Sequence, residues 1–291
     1  MIKSKKVKSL LAYLICLAII VSNFNSAFAN ISSMYQEEVA IEQDFDRILG
    51  KVKPNEIICG FEKVKSEYVS DYGANANTYQ HIKTGATVLV IDNNDEEKFF
   101  TIGFKTPPKD NTGVNHVFEH TTLQGSKNYP VKSMLTTLGS TSMATFFNAA
   151  TSDDFTFYPF GSINEKDYYN LMNVYLDGLF YPMVMTDKNV FKRDGVRLDF
   201  IDNQLTYNGV VYNEMKNSGS NTKAILYNSI KKSLYPDTYY KWSSGGTPEA
   251  ITGLTYEDVL KLHEEAYHPS NSLTVLYGKQ DLKKSLEMLN N

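Results

Sequence analysis

The residues best able to do chemistry lie in one pentapeptide, His116-Val117-Phe118-Glu119-His120. Read as helix, it sets the two histidines four residues apart, one turn above each other on a shared face. Two imidazoles in that relation can reach a single ion. Glu119 follows His116 by three residues, so its carboxylate projects near the same point. Zinc accepts histidine nitrogens and a carboxylate, and a catalytic site keeps one position for water. The ion lowers the pKa of that water, and a nearby carboxylate can take the proton and pass it to a leaving amine. The pattern therefore predicts His116 and His120 as ligands and Glu119 as general base. A third, acidic ligand is required. Glu214, within Gly209-Val-Val-Tyr-Asn-Glu-Met-Lys216, sits on a predicted helix after a strand, but spacing alone does not separate it from the other acidic residues. The plainer alternative for the pentapeptide is an amphipathic helix with two surface histidines.

Such residues need elements to hold them. The pentapeptide falls in a predicted helix over 114–123, closed by Gly125. Strands are predicted upstream at 77–82, 86–91 and 98–105, ended by Pro107-Pro108. Downstream the pattern predicts a short helix at 132–138, then strands at 144–149 and 155–160 as a hairpin-like pair. Asn164 is an N-cap for a helix over 165–180, whose Tyr168, Leu171, Met172, Tyr175, Leu176 and Leu179 recur at helical spacing and read as core. Strands at 196–202 and 204–207 precede helices at 210–217 and 223–234. Thr255 and Asp258 form a capping box for a helix reaching 267, followed by a strand at 272–277 and an amphipathic helix from 281. Strands and helices mix without strict βαβ alternation, which predicts an α+β fold: a mixed, mostly antiparallel sheet with helices on one face.

The composition supports a packed core, with 42% hydrophobic residues in 291 and a net charge of −4. That acidic balance argues against a nucleic-acid partner. Lys3, Lys5, Lys6 and Lys8, an apolar run over 10–21 and Ala27-Phe28-Ala29 form the pattern of a secretory signal peptide over 1–29. The apolar run is too short to span a bilayer, so no stable membrane span after cleavage and a secreted protein are expected. Residues 30–75 read as a polar lead-in segment with a helix near 34–50. Cys16 would leave with the signal, and Cys59 alone can form no internal disulfide.

Beyond the pentapeptide, the stretch from Thr106 to His120, Thr-Pro-Pro-Lys-Asp-Asn-Thr-Gly-Val-Asn-His-Val-Phe-Glu-His, resembles the zinc-binding segment of the pitrilysin/insulinase metallopeptidases, in their presequence-protease branch. Further stretches agree in the family's order: Gly125 to Lys132, Phe147-Asn-Ala-Ala-Thr151, Gly209 to Lys216 and Tyr267-His-Pro-Ser-Asn271. The resemblance runs from Gly60 to the C-terminus. It implies Zn2+ held by His116, His120 and Glu214, with Glu119 activating water. It implies that Asn148 and Ala149 lie on an edge strand that pairs with extended peptide substrates. Residues 76–291 then correspond to the N-terminal domain of a clamshell of related α+β domains, interrupted within its last helix. In the family the other half adds an Arg and a Tyr at the zinc, and a separate partner chain could supply that half. Asn115 stands where the family commonly has Pro. The expected function is a zinc endopeptidase domain hydrolysing unstructured peptides. The alternatives are a non-catalytic peptide- or subunit-binding module and an inactive fragment of a larger peptidase.

Overall fold

The most continuously apolar runs occupy the middle of one large sheet, where strands are covered on both faces. The fold is that of a computed structural model, which describes residues 56–219 and 221–291. The signal-peptide reading of 1–29 and the helix expected near 34–50 lie outside the described residues. In chain order the strands are β1 (Ile57–Ile58), β2 (Phe61–Val69), β3 (Ala74–His81), β4 (Thr87–Asp92), β5 (Lys98–Lys105), β6 (Phe146–Phe147), β7 (Ala150–Thr151), β8 (Phe155–Ser162), β9 (Arg197–Ile201), β10 (Gln204–Asn208) and β11 (Ser272–Tyr277). β9 and β10 form a separate antiparallel hairpin. The others form one sheet in the order β1-β2-β3-β4-β11-β5-β8-β6, with β7 also on β8. Only the β11–β4 pairing in that sheet is parallel among the described residues.

The helices are α1 (Val114–Thr122), α2 (Met134–Thr141), α3 (Glu165–Phe180), α4 (Lys188–Asp194), α5 (Val210–Gly219), α6 (Thr222–Leu234), α7 (Pro248–Ile251), α8 (Tyr256–Ala266) and α9 (Leu282–Asn290). Phe100, Ile102, Phe104, Tyr158 and Phe160 of the sheet pack with Val117 and Phe118 of α1, Tyr168 to Leu179 of α3, Val259 of α8 and Leu286 of α9 in one core. A smaller cluster on the opposite face holds Leu89, Ile91, Phe99, Phe155, Leu273 and Val275. The architecture is thus the α+β class read from the sequence. α3 occupies the predicted residues, and its Asn164 cap accepts a hydrogen bond from the Asp167 amide at 3.0 Å. The Thr255–Asp258 capping box opens α8.

Several elements depart from the sequence reading. The sheet begins well before residue 76, because β1 and β2 join it through β3. Within β2 only Phe61 is buried, so the strand has no apolar alternation to reveal it. The short α4 falls in a stretch read as connection. The strand expected at 144–149 is instead two short bridges, β6 and β7, on the outer edge of β8.

Candidate metal centre

The site is built on α1, whose two faces are chemically opposite. Val117 and Phe118 are fully buried in the core, while His116, Glu119 and His120 gather on the other face. Gly113 precedes the helix at φ 67, and its carbonyl accepts from the Val117 amide at 3.0 Å. A Cβ on Gly113 would lie 2.6 Å from the Gly245 carbonyl oxygen. Glycine there lets the 243–247 loop lie against the start of α1. Asn111 fastens that loop, its carbonyl accepting from the Thr247 amide and its side-chain oxygen from the Ser243 amide, both at 2.9 Å. The consequence reaches the site: His116 Nδ1 lies 3.3 Å from the Gly245 carbonyl. A proton on Nδ1 then bonds that oxygen and leaves Nε2 with a free lone pair. Asn115 donates from Nδ2 to the Thr106 carbonyl at 2.6 Å, tying α1 to the end of β5.

Glu214 reaches the same place from α5. This helix starts beside α4 because Gly209, at φ 154, approaches Gly195 so closely that a Cβ would fall 2.1 Å from the Gly195 oxygen. The Glu214 carboxylate then spans both imidazoles, with Oε1 3.7 Å from His116 Nε2 and Oε2 3.5 Å from His120 Nε2. The two rings stand edge to face at 4.8 Å. These contacts are too long for good hydrogen bonds. For His120 the contact is not an ion pair, because burial, with help from His116, pushes its pKa down to about 4 and leaves it neutral. Two ligands held ~2.1 Å from one tetrahedral zinc ion would sit ~3.4 Å apart, close to the observed separations. Two imidazole nitrogens facing a carboxylate across that gap are a donor set that suits zinc. Glu119 also belongs to the cluster, its oxygen lying within 4.8 Å of both histidine nitrogens. Burial drives its pKa up to about 7; a hydrogen bond from Thr151 opposes this and the charge of Glu214 adds to it.

The structure therefore brings His116, Glu119, His120 and Glu214 together. Asn148 and Ala149 lie between β6 and β7, at the end of the sheet, and Asn148 donates its amide hydrogen to the Pro159 carbonyl at 2.9 Å. The remaining histidines are elsewhere: His81 lies between Thr84 and Asn290, His263 against the Leu179 carbonyl and His268 against Ser270. Sequence reasoning assigned no part to Thr151 or Gly245. The Thr151 hydroxyl donates to Glu119 Oε2 at 3.0 Å, linking the edge strand to the carboxylate. Neither residue type signals such a partnership along the chain; only the Phe147-to-Thr151 stretch pointed to the neighbourhood.

An α+β sheet carrying a helical His-x-x-Glu-His cluster opposite a second carboxylate defines a metallopeptidase-type domain. Residues 99–228 match the family described as Insulinase (Peptidase family M16). The chain is 44% identical over 241 residues to Protein HypA of Clostridium perfringens, covering 82% of this chain and 25% of that protein. It is 42% identical over 232 residues to Presequence protease 1, chloroplastic/mitochondrial, of Arabidopsis thaliana, covering 79% and 22%. The crystal structure of pitrilysin has the same fold, with a TM-score of 0.60 at 17% identity over 79% of this chain and 24% of that one. The chain thus carries an insulinase-type domain of peptidase family M16, and it spans about a quarter of the length of the curated relatives it matches.

The expectation of a secreted protein with a secretory signal over 1–29 is corrected by these relatives. Their names place presequence proteases of Arabidopsis thaliana and Candida albicans in chloroplasts or mitochondria. A basic start followed by an apolar run describes composition, and composition does not fix the compartment. Among the described residues no helix is long and apolar enough to cross a membrane.

Proposed function

We propose that this chain carries the zinc-binding and proton-transfer groups of an endopeptidase acting on extended, unstructured peptides. The observation that supports it is the convergence of His116 and His120 Nε2 on the Glu214 carboxylate, at 3.7 and 3.5 Å, beside the buried Glu119. His116, His120 and Glu214 would hold the ion. When bound, zinc supplies Lewis acidity, making water easier to deprotonate and a peptide carbonyl easier to attack. Glu119 takes the proton of the attacking water and delivers it to the departing amine nitrogen. Thr151 holds one oxygen of that carboxylate, leaving the other for the water. The contact between the Gly245 carbonyl and Nδ1 keeps the His116 ring turned so that Nε2 faces the Glu214 carboxylate.

The peptide would add as a strand along the open edge at Asn148 and Ala149. Main-chain pairing of that kind selects extended segments over folded ones. The catalytic domain in this reading takes in the sheet from β1 onward, not only residues 76–291. A second half of the clamshell, in the same polypeptide or a separate chain, would close over the cleft and complete the substrate site.

Metal analysis of the purified chain should find about one zinc per chain, as expected of a single four-coordinate site. Cleavage of an unstructured peptide should vanish in Glu119→Gln with zinc still bound. Cleavage that survives Glu119→Gln, or a zinc content unaffected by His116→Ala and Glu214→Ala, would sink the assignment.

A further inference from the structure

The edge strand beside Glu119 has a gap in its ladder, and the gap has a chemical cause. Phe147 faces Phe160 on one side of it and Ala150 faces Phe157 on the other. The same register therefore sets Asn148 opposite Pro159. Asn148 gives its amide hydrogen to the Pro159 carbonyl, but the reciprocal bond cannot form, because proline has no N–H. The far side of β8 is spared. There Pro159 faces Thr101 of β5, at a position whose backbone groups are turned toward Asn148.

The Asn148 carbonyl is satisfied from a different element. Tyr175 of α3 donates its hydroxyl hydrogen to it at 3.2 Å. The same oxygen atom lies 3.5 Å from the Pro159 carbonyl, so the phenol sits directly under the incomplete pair. Tyr175 is fully buried, with its ring 4.9 Å from that of Phe160, and has little freedom to point elsewhere. Burial raises its pKa far above the ordinary phenol value, so it stays a neutral donor. The next residue faces the other way. By strand alternation the N–H and C=O of Ala149 point away from β8, toward the open edge.

We propose that Tyr175 is a positioning residue for peptide docking: its hydroxyl supplies the hydrogen bond that Pro159 cannot, and so fixes the outward-facing amide and carbonyl of Ala149. This rests on the reading of that edge as the place where the peptide adds. Losing a lone donor under a carbonyl weakens the local pairing without removing any atom that touches the peptide or the metal.

The test uses the full chain in a Glu119→Gln background, so that binding is read without cleavage. Amide hydrogen exchange over 146–151 is measured without peptide, and binding is measured with a fluorescein-labelled, unstructured fragment of β-casein. Tyr175→Phe should speed exchange at Asn148 and weaken binding, each by about fivefold, the size expected from one hydrogen bond. Zinc content should not change. Adding Pro159→Ala to Tyr175→Phe restores a backbone donor and should bring both readouts back toward the parent. A double variant no better than Tyr175→Phe, or a Tyr175→Phe chain with parental exchange and affinity, overturns the proposal. Ala149→Pro removes the outward N–H and tests the docking itself. Affinity lost there but unmoved in Tyr175→Phe overturns the positioning role alone. Affinity unmoved in both overturns the docking reading as well.

Discussion

Glu119 is a carboxylate kept where a charge is costly. In the unfolded chain it titrates near 4.5, and in the folded, metal-free chain near 7, chiefly through burial. The folded chain therefore binds this proton more tightly than the unfolded one. The stability that follows is fully present below pH 4.5 and is lost as pH rises through about 7. His120 runs the other way. Its pKa falls from 6.5 to about 4, so stability is full above pH 6.5 and declines as pH falls toward 4. The two effects oppose each other over overlapping ranges, and removing one should expose the other. Gln keeps the shape of the neutral acid. In chelator-treated chain, Glu119→Gln should match the parent near pH 4.5 and exceed it at pH 8 by roughly 3 kcal/mol at most. Urea unfolding at both values measures this; an equal difference at both would mean that Glu119 is not titrating in that range. The same burial that makes the acid costly without metal readies it as a base, since a nearby cation favours its charged form.

The elements matter because the proposed ligands come from two helices far apart in sequence. α1 carries its pair within one turn, which is why the pentapeptide could be singled out from spacing alone. Glu214 had no such signal; only resemblance distinguished it from other acids, because its position depends on how α5 packs against α4. That packing turns on Gly209 and Gly195. Gly209→Ala would set a methyl 2.1 Å from a backbone oxygen, in a backbone conformation that already disfavours side chains. The start of α5 must shift, carrying Glu214 with it. The expected cost is about 3 kcal/mol or more in stability, with zinc affinity down at least about tenfold. Parental zinc affinity in a destabilised Gly209→Ala chain would show that α5 does not place a ligand. Strand legibility followed the same rule. The buried runs at β5 and β11 announced themselves, whereas β2 exposes most of its side chains and did not. The break between β6 and β7 was hidden because its cause, Pro159, lies on the neighbouring strand.

The described part of the molecule is held by a contact between segments far apart in the chain. β11 enters the centre of the sheet, parallel to β4 on one side and antiparallel to β5 on the other. Val275 and Leu276 are fully buried, on opposite faces of the sheet, and belong to the two separate apolar clusters. Without this strand, β1 to β4 and β5 to β8 would be two half-sheets, each with a long apolar edge exposed. Loop-closure entropy must be met before such pairings reward it, so the fold depends on the last strand in chain order for cooperativity. This yields a prediction that the site residues alone do not. A chain ending at residue 268 keeps His116, Glu119, His120, Glu214 and the 146–151 edge, and loses none of the groups proposed to touch metal or peptide. It should nevertheless lack a native near-UV spectrum and take up far less zinc than the full chain under the same conditions. The reason is that α1 is oriented by burying Val117 and Phe118 in a core that the divided sheet cannot form. A truncated chain with native spectrum and undiminished zinc would show instead that the α1–α5 unit holds its geometry locally, and that the central strand serves the far half of the sheet only.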